Sequence, residues 1–168
     1  DERNLSFAEA TVNALTALGV MQRLRAPTGA IRRIHVSRRG DFGRLLLDAA
    51  DHGRDAFGQV VVARDFGEAL EARLSQVSGL ARYRGTRFTA FSGDDADARV
   101  IELAGEGPAR LRARLVVAAD GAASGVRDAL GVATERRDYG QVLMVARLRA
   151  ARAPDGTAYE RMGDDGPT

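Results

Sequence analysis

The sequence contains no cysteine, so disulfides, thiolate nucleophiles and cysteine-based zinc sites are all excluded. It contains no lysine either, and all 25 basic residues are arginine. A phosphate loop ending in Gly-Lys-Ser/Thr, a Schiff-base lysine and a Ser-Lys dyad are thereby ruled out. No apolar run approaches the roughly 18 residues of a membrane-spanning helix. The start DERNLS lacks the basic-then-apolar order of a signal peptide, and a soluble chain without such a peptide is expected. The only histidines, His35 and His52, fall in different segments without HExxH or paired spacing, so no metal site is expected. GxSxG is absent, and no serine sits on a strand-to-helix elbow with an assigned histidine, which sets a serine hydrolase triad aside.

What is present suits one globular domain: 168 residues with 45% hydrophobic side chains can bury a core. The pI near 9.6 reflects how little titrates between histidine and arginine once cysteine and lysine are gone. The net charge is only +2 and the arginines are interspersed with carboxylates, so nucleic acid is not an expected partner.

Along the chain, Ser6 and Glu9 have the spacing of a capping box ahead of Phe7, Thr11, Leu15 and Leu18, predicting a helix over 6–18 that ends at Gly19. Residues 31–37 and 44–47 read as a hairpin around RRGDFG. GQVVVA, 58–63, reads as a strand, followed by a helix capped by Asp65 and Glu68 with Phe66, Leu70, Leu74 and Val77 on one face. Strands at 86–91, 99–103 and from 110 form a meander across SGDDADA and AGEGPA. Asp94, Asp95 and Asp97 lack the glycine and distal glutamate of a calcium loop, so a solvated turn is expected there. The apolar run LVVAA predicts entry of the last strand into a sheet covered on both faces. A short helix at 124–130 and two strands, QVLMVARL and APDGTAYERM, joined by a PDG turn, complete the reading.

VVAADGAASGVR is the segment most charged with chemistry. Its strand delivers Asp120 and Gly121 to a carboxyl end, where ligands of open α/β sheets bind, and a helix starts at Ser124. Asp120 could accept from ribose hydroxyls, Gly121 would admit close backbone approach, and the helix start would offer N–H groups to a phosphate. A capped tight turn explains the same residues, and the residues alone leave both readings open.

ADGAASGVR, residues 119–127, also resembles the second motif of the class A FAD-dependent aromatic hydroxylases, where it serves FAD and NAD(P)H. The likeness runs on: DERNLSFAEATVNALTALGV is similar to their first helix with its flavin-contacting arginine, and GQVVVARDFGEAL is similar to their strand and helix with a glutamine near the ribityl chain. The resemblance implies FAD contacts at Arg3, Gln59, Asp120, Gly121, Ser124 and Arg127, with Arg64 matching a further family arginine. IRRIHVSRRGDFGRLLLDA, DYGQVLMVARL and GTAYERMGDDGP look most like the 2-polyprenyl-6-methoxyphenol hydroxylases of ubiquinone biosynthesis. Val62 departs from their frequent glutamate, and Asp41 from their frequent histidine.

That resemblance implies an α/β fold in which part of an FAD-binding Rossmann-like domain is interleaved with part of a β-sheet substrate domain, hydroxybenzoate-hydroxylase-like and truncated at both ends. Residues 1–26 and 58–131 would belong to the FAD domain, the latter with the DG motif, and residues 27–57 and 132–168 to the substrate domain. The family's GxGxxG strand and its C-terminal GD motif have no counterpart in these residues, so weak or absent FAD binding and self-association of the isolated chain are expected. The implied substrate is a prenylated phenol, hydroxylated with NAD(P)H and O2 by a cytoplasmic protein, peripheral at the inner membrane surface, beside other ubiquinone-biosynthesis proteins. No catalytic side chain is assigned, because the cofactor carries the chemistry. His35 is read as a strand residue that could face the substrate cavity. A halogenase or prenyl reductase of the same architecture, or a non-catalytic assembly module, are the other classes left open.

Overall fold

The computed structural model describes residues 2–95 and 97–168, and the side chains of Asp94 and Asp95 lie outside the described residues together with Asp1 and Ala96. The solvent exposure expected of Asp94 and Asp95 therefore lies outside them too, while Asp97 is exposed in a turn. In chain order the elements are β1 (Asn4–Ala8), α1 (Glu9–Ala17), β2 (Gly29–Ile31), β3 (Arg33–Arg38), β4 (Arg44–Asp48), β5 (Gly58–Val62), α2 (Ala63–Leu74), β6 (Thr86–Asp95), β7 (Ala98–Gly105), β8 (Arg110–Ala113), α3 (Gly125–Ala129), β9 (Thr157–Gly163) and β10 (Gly166–Pro167). They divide into two compact units, Asp1–Ser78 with Leu143–Thr168, and Gly79–Val142.

The first unit holds two sheets. In one, β5 runs between β1 and β2, antiparallel to both. Val61 and, on α2, Ala69 are buried there. The Phe7 ring meets Phe66 of α2 edge-on at 4.8 Å, a contact worth about 0.5–1.5 kcal/mol beyond area burial. The other sheet has the order β10-β9-β3-β4. Its β3–β4 hairpin is the one expected around RRGDFG, while β9 joins β3 in parallel. No helix among the described residues is long and apolar enough to cross a membrane.

Several sequence expectations are corrected here. Ser6 caps no helix: it lies in β1 opposite Val60, α1 starts at Glu9 without a side-chain cap, and Glu9 pairs with Arg54 instead. Residues 4–8 alternate exposed and half-buried with the period of a strand, and a spacing of four from Phe7 onward mimicked a helix. At its far end the expectation holds. Gly19, at φ +75°, and Val20 donate to Thr16 and Leu15 in a Schellman closure. Asp65 likewise caps nothing, since its carboxylate accepts the Arg25 and Ala26 N–H groups at 3.0–3.1 Å.

The second unit is the expected meander, β6-β7-β8. Irregular register between Phe88 and Ala90 and between Phe91 and Gly93 lets β6 carry SGDD onward as strand instead of turn. The buried strand expected of LVVAA does not form. β8 stops at Ala113, no strand pairs with residues 115–119 among the described residues, and Leu115 and Val117 are exposed. An apolar run becomes a strand only where a neighbour completes its ladder. The same reason removes the strand expected of QVLMVARL, whose residues 141–148 form no regular element and are exposed. The PDG hairpin fails with it. Asp155 closes a local turn by accepting the Thr157 N–H at 3.0 Å, and β9 pairs with β3 and β10.

Two glycines separate the effect of space from that of backbone freedom. A Cβ on Gly58 would sit 2.0 Å from the Phe7 carbonyl oxygen, whereas one on Gly67, inside α2, meets nothing. Gly58→Ala is expected to cost about 1–3 kcal/mol, and Gly67→Ala to stabilise by about 0.4–1 kcal/mol. Urea unfolding of the two variants measures both, and equal midpoints would refute this account of the β1–β5 ladder.

Candidate functional site

In the second unit the expected residues of the DG segment converge. Residues 115–119 lead into Asp120, whose Oδ1 accepts the Ser124 hydroxyl and whose Oδ2 accepts the Val126 N–H at 3.3 Å. Ser124 is buried and its Oγ accepts the Arg127 N–H at 3.0 Å, so it is the N-cap of α3. Arg127 folds back on the same turn, donating from Nη1 to the Ala122 carbonyl at 2.9 Å and from Nη2 to Asp128 at 3.3 Å. Its Nε is buried without a partner among the described residues. Gly121 has φ +85° and open space where a Cβ would stand, a conformation that favours glycine and leaves the backbone approachable.

This geometry corrects one expectation. The α3 start does not hold its N–H groups free for a phosphate, because Asp120 and Ser124 take those of Val126 and Arg127. The carboxylate itself is held ionised. Chiefly the Ser124 hydroxyl, opposed by desolvation and assisted by backbone N–H groups, lowers the Asp120 pKa below its ordinary value. An ionised carboxylate has acceptor capacity beyond two bonds. Gly121 leaves one flank of this turn open.

Arg3 and Gln59 lie in the first unit, near opposite ends of the β1–β5 ladder. The Arg3 carbonyl accepts the Ala63 N–H at 2.9 Å. Gln59 is half-buried opposite Phe7 and Ala30, on the sheet face of Phe7 and Val61. Arg64 pairs with Glu2, which also holds Arg147 at 3.3 Å. His35 lies in β3, tilted against Tyr159 of β9 at 5.3 Å.

Sequence reasoning missed a cavity of about 340 Å³ whose walls include Pro27, Ile31, Val60, Val62, Leu148 and Pro154. Val60 and Val62 alternate with Val61 and present the opposite face of β5 from the one that carries Phe7. That alternation was a readable signal. The opposite wall, Leu148 and Pro154, comes from an irregular segment far along the chain, which no local pattern connects to β5. The volume lies at the small end of ligand pockets, and the lining is mainly apolar.

Residues 1–161 match the family described as FAD binding domain. Among curated proteins, uncharacterized protein slr1300 of Synechocystis sp. (strain ATCC 27184 / PCC 6803 / Kazusa) is 29% identical over 154 residues, which cover 91% of this chain and 37% of that protein. The 3-demethoxyubiquinol 3-hydroxylase of Escherichia coli (strain K12) is 27% identical over 173 residues, covering 99% of the chain and 42% of that protein. Ubiquinone hydroxylase UbiL of Rhodospirillum rubrum is 28% identical over 167 residues, covering 99% and 38%. The chain thus spans roughly two fifths of the length of these relatives.

The Asp120 turn yields a test by pH. A carboxyl whose folded pKa is depressed contributes stability above its unfolded pKa and loses it as pH falls through the folded value. The Asp120 carboxyl carbon, followed by NMR, is expected to titrate below an ordinary aspartate. Ser124→Ala is expected to move that midpoint upward and to cost about 0.5–2 kcal/mol through the lost cap. An unmoved midpoint would show that Ser124 does not hold the carboxylate.

Proposed function

The chain belongs to the FAD-binding domain family of the class A FAD-dependent hydroxylases, and from that premise we propose that it is part of a monooxygenase acting on a prenylated phenol of ubiquinone biosynthesis. The reaction inserts one atom of O2 into the ring, releases the other as water and takes two electrons from NAD(P)H. FAD, when bound, supplies the oxygen activation and the electron relay. The protein supplies binding, orientation and exclusion of water.

The observation that carries the reading is the family match over nearly the whole chain together with an Asp120 turn whose free groups suit a dinucleotide. In it, Asp120 would accept from ribose hydroxyls while Gly121 gives backbone access. Ser124 holds the carboxylate in place. Arg3 and Gln59 are the proposed contacts from the first unit. The apolar cavity on the outer face of β5 has the chemistry of a phenol with a hydrocarbon substituent. The names of the two hydroxylase relatives support the ubiquinone assignment. The domain division rests on the resemblance: the sheet β10-β9-β3-β4 joins strands of 27–57 to strands of 132–168, while β2 of 27–57 pairs with β5 of 58–131.

These 168 residues contain no GxGxxG loop, the device that sets a dinucleotide diphosphate on a helix N-terminus. Titration of FAD into this chain, followed by flavin fluorescence, is expected to show weak binding without stoichiometric retention. In a form extended to the length of its relatives, FAD is expected to be retained and Asp120→Asn to weaken retention about tenfold, the loss of one charged hydrogen bond. Tight stoichiometric binding by the 168 residues would refute the need for the glycine-rich loop. A flavin-loaded long form that leaves prenylated phenols unhydroxylated would overturn the substrate.

A further inference from the structure

The apolar cavity beside β5 has a charged rim. Val60 and Val62 form part of its wall, and Asn4, opposite Val62 in the β1–β5 ladder, stands on the same face. The cavity meets a second depression of about 450 Å³ at the start of α2, and Val62 and Arg147 line both. In that depression Arg25, Arg64 and Arg147 stand with Glu2, Asp65 and Glu68. Counted as whole charges the six cancel, but their pairing is uneven.

Asp65 is committed to the Arg25 and Ala26 backbone N–H groups at 3.0–3.1 Å, and Glu68 faces the Arg25 side chain at 3.7 Å. Glu2 is left to serve two guanidinium groups, those of Arg64 and Arg147. One carboxylate between two arginines leaves this end of the rim positive. Arg147 reaches Glu2 through Nη1 at 3.3 Å, and its Nε and Nη2 carry no bond among the described residues. Those two donors form the edge of the guanidinium fork that matches the two oxygens of a planar carboxylate. The side chain is half exposed, so the edge is open to a ligand, and an apolar wall beside it strengthens whatever bond it makes. A cationic head group would meet two like charges here, and an uncharged one would leave the fork unused.

We propose that the cavity and its rim form one site for an amphiphilic acid, whose ring or hydrocarbon body lies against Val60 and Val62 and whose carboxylate is held by Arg147. Glu2 positions Arg147 and moderates its charge. The inference rests on the reading of this cavity as the place of the substrate and adds the charge of the head group: the phenol that fits here carries a carboxylate.

2-Naphthoate and 2-naphthamide share a ring and nearly a shape, and differ in charge. Titrated into the 168-residue chain with isotope-labelled valine and leucine methyls, both are expected to shift the signals of Val60, Val62 and Leu148. The acid is expected to bind about tenfold more tightly than the amide, the gain of one charged hydrogen-bonded contact. Arg147→Gln is expected to remove that preference and to leave the affinity for the amide unchanged, whereas Glu2→Gln, which frees Arg147 of its carboxylate, is expected to widen it. Opposite effects of two variants cannot both come from a lost fold. Equal affinities of acid and amide for the parent chain would overturn the proposal. So would a preference that survives in Arg147→Gln, one that Glu2→Gln leaves no larger, or shifts confined to methyls away from the cavity. No flavin enters these titrations, so a long form that fails to hydroxylate bears on the reaction and not on this site.

Discussion

The first unit depends on β5 having a ladder on both sides. Its five residues, Gly58–Val62, pair with β1 along their whole length and with β2 at one end. Backbone groups taken from water along these ladders find partners, which is the condition for burying Val61. The fit is close enough that β5 must begin with glycine, because the Phe7 carbonyl occupies the place of a side chain. Phe7 and Phe66 cover one face, and the cavity of Val60 and Val62 opens on the other. One strand therefore separates the packed side of the unit from its ligand-sized space.

Much of this was legible in sequence wherever the signal was local. GQVVVA gave a strand, RRGDFG a hairpin, and Ser124 a helix start that the side-chain bond to Arg127 bears out. The errors have one physical origin: a pattern names the element a segment can form, and the neighbour decides whether it does. Ser6 and Asp65 look like caps, yet Ser6 finds a strand partner and Asp65 finds the backbone of Arg25 and Ala26. LVVAA and QVLMVARL look like strands, yet no described strand pairs with them. The site divides the same way. Asp120, Gly121, Ser124 and Arg127 fall within eight residues and were readable together, whereas Leu148 and Pro154 meet β5 only through the fold.

Electrostatics at the Asp120 turn follow from geometry more than from charge count. Asp120 is surface-accessible, and what lowers its pKa is chiefly a neutral donor, Ser124, not a nearby arginine. Arg127 spends its Nη groups on Ala122 and Asp128, and its Nε is buried without a partner among the described residues. The turn satisfies its carboxylate from within, through Ser124 and the Val126 N–H.

The parallel ladder of β3 with β9 joins Arg33 to Thr157 and Arg38 to Met162, partners more than a hundred residues apart in the chain. During synthesis, at roughly 5–20 residues per second, β3 and β4 emerge together and close their hairpin early. The other edge of β3 then waits several seconds for β9 to leave the ribosome. Through that interval Ile34 and Val36 sit in a strand with an open edge, the situation in which nascent chains mispair. The long connection between the two strands thus makes translation speed, and whatever shields an unfinished sheet, part of how this protein reaches its fold.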